Sequence, residues 1–142
     1  MMKVGDIMSK PPLTVTPAAS ARVAAQLMRN RRVRHLPVVD DGGRVLGIIT
    51  NRDLEHAAFL PALSGYLAWD RRRLKSPRVS DLMTWSAVTV SPDASLPQAG
   101  LLMFERRIGS LVVVANDRLV GILTGRDLLR ALGRIRTERR AT

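Results

Sequence analysis

The sequence predicts an α+β fold made of two βαββα units packed about a pseudo-twofold axis. Three observations carry that expectation. The 142-residue chain repeats itself. Shifted by 75, Val4-Gly5-Asp6-Ile7-Met8 lies over Val79-Ser80-Asp81-Leu82-Met83, and Thr14-Val15-Thr16-Pro17 over Thr89-Val90-Ser91-Pro92. Arg31-Arg32-Val33 lies over Arg106-Arg107-Ile108 in the same register. One residue is then lost in a turn. At a shift of 74, Gly47-Ile48-Ile49-Thr50-Asn51-Arg52-Asp53-Leu54 lies over Gly121-Ile122-Leu123-Thr124-Gly125-Arg126-Asp127-Leu128. A register held across half a chain marks a repeat architecture. The second observation is that each copy alternates short β-branched runs with helical periodicity. The third is that the strand runs are continuously apolar, which suits strands covered on both faces.

The elements follow in order within each copy. Residues 13–15 are a short β-prone run. Thr16-Pro17 and Ser91-Pro92 place a capping hydroxyl before a proline at the first helical position, so the first helix is expected to start there. Val23, Ala24, Leu27 and Met28 then recur as one apolar stripe. Runs 36–39 and 45–49 read as strands joined by Asp40-Asp41-Gly42-Gly43, and Asn116-Asp117 makes the matching turn. A last helix follows from Arg52 and from Arg126. The copies span residues 1–58 and 78–133. A unit of about 55 residues is marginal alone, so the two are expected to share one core. Residues 59–77 read as a packed connector, helical after Ser64 and then basic, and 134–142 as the basic, frayed end of the last helix.

Composition narrows the function. Apolar residues make up 46% of the chain, enough for a core. The longest apolar stretch, 111–115, is far short of the ~20 residues that span a membrane. Residues 1–6 lack the apolar region of a secretory signal, so the expected location is cytoplasmic, with no membrane partner. There is no cysteine, which excludes disulfides and thiolate chemistry, and two histidines argue against a metal site. No nucleophile–base pair recurs, so no enzyme is expected. The charge of +11 favours polyanionic partners: nucleotides, nucleic acid or an acidic protein. Its clusters, Arg29–Arg34, Arg71–Arg78 and Arg126–Arg140, read equally well as solvated helix faces. With 4% aromatic residues, stacking of single-stranded bases is poorly supported.

The doubled Val-x-Asp-(Ile/Leu)-Met, Thr-Val-(Thr/Ser)-Pro, Leu-x-Val-Val and Gly-Ile-(Ile/Leu)-Thr-x-Arg-Asp-Leu strings resemble the CBS (cystathionine β-synthase-type) domain, whose tandem pair is called a Bateman module. The apolar connector resembles that of small stand-alone CBS proteins of the acetoin-utilisation type. The resemblance implies a regulatory, non-catalytic module. It implies an adenosine-containing ligand (AMP, ADP or ATP, with S-adenosylmethionine or NAD as further choices), no metal, a homodimer, and a separate regulated protein. It also implies two clefts, each shared between copies. One would gather Ile122, Thr124, Arg126 and Asp127 with Lys10, Pro11 and Pro12 and with Val33, Arg34 and His35. The other would gather Ile48, Thr50, Arg52 and Asp53 with Trp85, Ser86 and Ala87 and with Ile108, Gly109 and Ser110. The alternatives are an interaction module with no ligand, or nucleic-acid binding through the basic clusters.

The residues have chemistry of their own. Thr50-x-x-Asp53 and Thr124-x-x-Asp127 sit where a strand gives way to a helix, the pattern of a capping box. The same aspartate, ionised beside a helix N-terminus, can accept both hydroxyls of a ribose. The two uses are compatible. Arg34 and His35 offer donors to phosphate where the other copy has Gly109 and Ser110, so the Asp127 cleft is expected to be the stronger. Against this, Arg34 also reads as a surface residue and His35 as a packing one. Lys10, Arg52 and Arg126 read either as phosphate contacts or as exposed charges, and Trp85 either as a purine stack or as a cover.

Overall fold

The computed structural model describes residues 1–63 and 77–141. In chain order the first elements are α1 (Val4–Ile7), α2 (Ala21–Arg31), β1 (His35–Val39), β2 (Val45–Thr50) and α3 (Asn51–Leu63). They are followed by α4 (Val79–Leu82), β3 (Thr84–Trp85), β4 (Thr89–Val90), α5 (Leu96–Arg106), β5 (Ser110–Ala115), β6 (Arg118–Thr124) and α6 (Gly125–Ala141). The fold is α+β, as the repeat predicts. It divides into two compact units, and these are not the two sequence copies. One is Leu13–Ala87; the other joins Met1–Pro12 to Val88–Thr142. Each unit borrows the leading segment of the other copy.

In the Leu13–Ala87 unit the sheet order is β1-β2-β3. β1 and β2 run antiparallel with Leu36 opposite Ile49 and His35 opposite Thr50. β3 closes the other edge of β2, setting Trp85 opposite Gly47. In the second unit β4 pairs parallel to β5, which pairs antiparallel to β6. Ser9 bridges Ile122 there, as Thr84 pairs with Ile48 in the first. The glycine of each Gly-Ile-(Ile/Leu)-Thr string lets this extra segment approach. A Cβ on Gly47 would collide with the Thr84 carbonyl, and one on Gly121 with Met8. The run 13–15 contributes a single bridge, Val15 to Val38, where the other copy has the two-residue β4. Asn116 and Asp117 hold φ of 52 and 62, the left-handed pair that a two-residue hairpin turn requires.

The first helix of each copy starts later than the Thr-Pro and Ser-Pro signals predict. α2 is capped by Ser20, whose Oγ accepts from Val23 N at 3.1 Å. α5 is capped by Ser95, and Gln98 Oε1 accepts in return from Ser95 N at 3.1 Å. Thr16-Pro17 and Ser91-Pro92 make turns instead, closed by Ala19 N to Thr16 O at 3.2 Å and Ala94 N to Ser91 O at 3.1 Å. The reason lies in what those turns do. Their carbonyls accept from the first N–H groups of the short helices, which have no partner inside their own helix. Val79 N donates to Ala19 O at 2.8 Å and Ser80 N to Pro17 O at 3.0 Å. Val4 N donates to Ala94 O at 2.9 Å and Gly5 N to Pro92 O at 2.8 Å. Those short helices explain the Val-x-Asp string. The valine is fully buried, and Asp6 and Asp81 cap the helix start by accepting from Lys3 N and Arg78 N at 2.7 and 2.9 Å.

Each unit has a core of its own. Leu36, Val38, Ile49, Ala24 and Met28 centre the first, and Leu111, Val113, Leu123, Ala99 and Met103 the second. Each fully buried Leu or Ile among them is worth about 1.5–3 kcal/mol. α3 runs to Leu63, into the stretch read as a connector, and α6 runs to Ala141, through the stretch read as a tail. Residues 64–76, with the rest of that connector and its basic run, lie outside the described residues. Among the described residues no helix is long and apolar enough to cross a membrane.

Candidate functional site

Both strand ends carry the same hydrogen-bonded cap. Asp53 Oδ2 accepts from Thr50 N at 2.8 Å and from Thr50 Oγ1 at 3.1 Å, while Asp53 N donates to Thr50 Oγ1 at 3.3 Å. Asp127 Oδ2 accepts from Thr124 N at 2.9 Å and from Thr124 Oγ1 at 3.0 Å, while Asp127 N donates to Thr124 Oγ1 at 3.3 Å. The cap thus employs one carboxylate oxygen and leaves the other, Oδ1. The surroundings of the two differ. Asp127 is only 4% exposed, and its Oδ1 lies 3.4 Å from Arg130 Nη2. Asp53 is half-buried, and the position equivalent to Arg130 is the exposed His56.

Each unit assembles part of what the sequence assigns to a cleft. In the Leu13–Ala87 unit, pairing of β2 with β3 sets Thr84 opposite Ile48 and Trp85 opposite Gly47, with Ser86 N on Leu46 O at 3.0 Å. Ser86 holds φ of +64, in the left-handed region. Trp85 and Arg52 are exposed, Ala87 half-buried. In the other unit the Ser9–Ile122 bridge brings Lys10, Pro11 and Pro12 past the buried Ile122, close to Thr124 in sequence. Lys10 and Arg126 are exposed. The start of the middle strand sits beside the capped end of its own unit. Asn51 N donates to Arg34 O at 2.9 Å, and Gly125 N to Gly109 O at 3.1 Å. Arg34 and His35 therefore neighbour Thr50, and Gly109 and Ser110 neighbour Thr124. Ser110 is buried; Arg34 is exposed.

His35 is the unusual member. Its Nδ1 is buried with no hydrogen-bond partner among the described residues. Burial holds its pKa below 6.5, the Arg34 charge adds to that, and the Asp53 carboxylate opposes both. It is a neutral imidazole at neutral pH with one nitrogen uncommitted. Two features escaped the sequence reading. One is Arg130, which the sequence shows only within a basic cluster, its signal being the i, i+3 spacing from Asp127. The other is an open groove of about 690 Å³ along the end of α5, lined by Met103, Phe104, Glu105, Arg107, Ile108 and Gly109. Among the described residues no group of acids and histidines is placed to hold a metal.

The CBS domain model matches residues 4–59 and again 79–134. A Vibrio cholerae chain provisionally assigned to acetoin utilization is 30% identical, with a TM-score of 0.80 over 100% of this chain and 98% of that one. CBSX2, of Arabidopsis thaliana, solved with AMP, is 31% identical, with a TM-score of 0.78 over 96% of this chain and 99% of its own. A CBS domain pair solved with 5′-methylthioadenosine and S-adenosyl-L-methionine is 31% identical, with a TM-score of 0.77 over 92% and 95%. The first curated relatives carry enzyme names, and the chain spans about a quarter of their length, 23% and 24%. With two matches that together cover most of its length, and the same Thr–Asp cap closing each repeat, this chain belongs to the CBS domain family.

Proposed function

We propose that the chain is a regulatory module that takes an adenosine-containing nucleotide at its Thr–Asp strand ends and passes that state to a separate protein. The carrying observation is the repeated cap, which in both copies leaves a carboxylate oxygen beyond the two bonds it makes. An ionised carboxylate only accepts hydrogen bonds, which suits the paired hydroxyls of a ribose. Ile48 and Ile122 on the preceding strands supply apolar walls for a purine, and Trp85 a face to stack on. The exposed Arg34 supplies a planar fork for phosphate oxygens, with His35 beside it. Adenosine is the part common to AMP, 5′-methylthioadenosine and S-adenosylmethionine, the molecules bound in two of the similar structures.

The test is a thermal-shift panel of ATP, ADP, AMP, NAD and S-adenosylmethionine. A ligand at 100 times its dissociation constant is expected to add ~2.7 kcal/mol of stability. The double variant Asp53→Asn, Asp127→Asn is expected to lose that shift for every ligand, because each carries the ribose. An intact protein unmoved by all five would replace this reading with a ligand-free interaction module.

A further inference from the structure

We propose that Arg130 is a built-in competitor for the Asp127 carboxylate, so that Asp53 is the nucleoside acid filled first and Asp127 a gated second. The proposal rests on the ribose reading above and adds an order of occupancy to it. At Asp127 both oxygens are engaged. Oδ2 holds the Thr124 cap, and Oδ1 meets Arg130 Nη2 at 3.4 Å. A diol arriving there must displace a guanidinium from a carboxylate that is almost wholly buried, its side chain 3% exposed. Ion pairs with both members in water are worth little, but a buried member is screened far less. Arg130 is itself 58% exposed on its side chain, so it can swing out without disturbing the core. At Asp53 the same step meets no such obstacle. The equivalent position is His56, which is exposed, and among the described residues no ion pair holds Asp53. The Arg34-His35 pair points to the Asp127 cleft as the stronger binder of nucleotide; the ion pair reverses that order for the bare nucleoside.

Adenosine is the probe, because it has no phosphate with which the released guanidinium could pair. Calorimetry on Asp53→Asn reads the Asp127 acid alone. Adding Arg130→Met, which keeps the aliphatic stem, is expected to tighten adenosine about two- to fivefold. The reciprocal arm reads Asp53 alone in Asp127→Asn, where adding His56→Arg is expected to weaken adenosine by a similar factor. Unchanged or weaker binding in the first arm, or unchanged or tighter binding in the second, overturns the gate. If adenosine binds well and ignores both substitutions, only the gate falls and the ribose reading stands. If neither adenosine nor AMP binds the intact protein, both fall together.

Discussion

A single histidine shows how burial and charge are balanced beside the strand ends. His35 has its pKa lowered from 6.5, first by burial, then by Arg34, against the pull of Asp53. The unfolded chain takes up that proton at a higher pH than the folded one. Stability from this group is therefore full above pH 6.5 and falls as pH drops through 6.5 toward the lowered value. Urea midpoints measured at pH 7.5 and 5.5 are expected to fall, and His35→Gln to flatten that fall. Arg34 beside it has a different test. If its guanidinium meets phosphate, Arg34→Ala weakens ATP about tenfold and adenosine hardly at all, since a charge-assisted bond is worth roughly 1.5–3 kcal/mol. Equal losses in calorimetry would give Arg34 a pocket-shaping role only. At this scale the sequence was most legible where one spacing has one use. Thr50-x-x-Asp53 and Thr124-x-x-Asp127 form the caps that their spacing predicts. Arg130 was illegible because a row of arginines along a helix shows spacing, but not which one meets a buried acid.

At the scale of elements, the hairpins β1–β2 and β5–β6 followed from apolar runs and turn chemistry, while β3, the short helices α1 and α4 and the starts of α2 and α5 did not. A hydroxyl before a proline is a local signal, and Ser20 and Ser95 win because the turns ahead of them lend their carbonyls to α4 and α1. That demand comes from a segment some 60 or more residues away in sequence, as Val79 N to Ala19 O shows, so no window of local sequence contains it. Two glycines separate the same levels. Gly47 lies where β3 crosses close to β2, and Gly47→Ala is expected to cost about 1–3 kcal/mol by overpacking. Gly133 lies within α6, and a Cβ there meets no atom of the described residues within 4 Å beyond its own helix backbone. Gly133→Ala is expected to add about 0.5–1 kcal/mol by removing chain freedom from the unfolded state. Chemical denaturation of the two variants checks both signs at once.

The whole molecule carries more apolar surface than its two cores use. Phe104 is 80% exposed, Leu129 71% and Leu132 63%, all on α5 and α6, which pack together. Val23 on α2 is exposed as well. Such surface favours association, and the expected assembly is a homodimer formed through these helices. Sedimentation at tens of micromolar is expected to give a dimer, with Phe104→Ser shifting it toward monomer; a monomeric intact protein would refute the pairing. The repeat and its class were legible because a register shift needs no knowledge of contacts. The exchange of leading segments was not, since a repeat aligned to itself does not say which copy each piece joins.

That exchange sets an order in time. Every part of the Leu13–Ala87 unit is available once Ala87 has left the ribosome, whereas the other unit needs Met1–Pro12 together with Val88–Thr142. At about 5–20 residues per second, α1 waits several seconds for Pro92 and Ala94, the carbonyls that satisfy its first N–H groups. Through that interval Val4, fully buried in the finished fold, is an unclaimed apolar side chain on a nascent strand of polypeptide. Met1–Pro12, made ahead of the Leu13–Ala87 unit, thus finds its place after that unit is already complete.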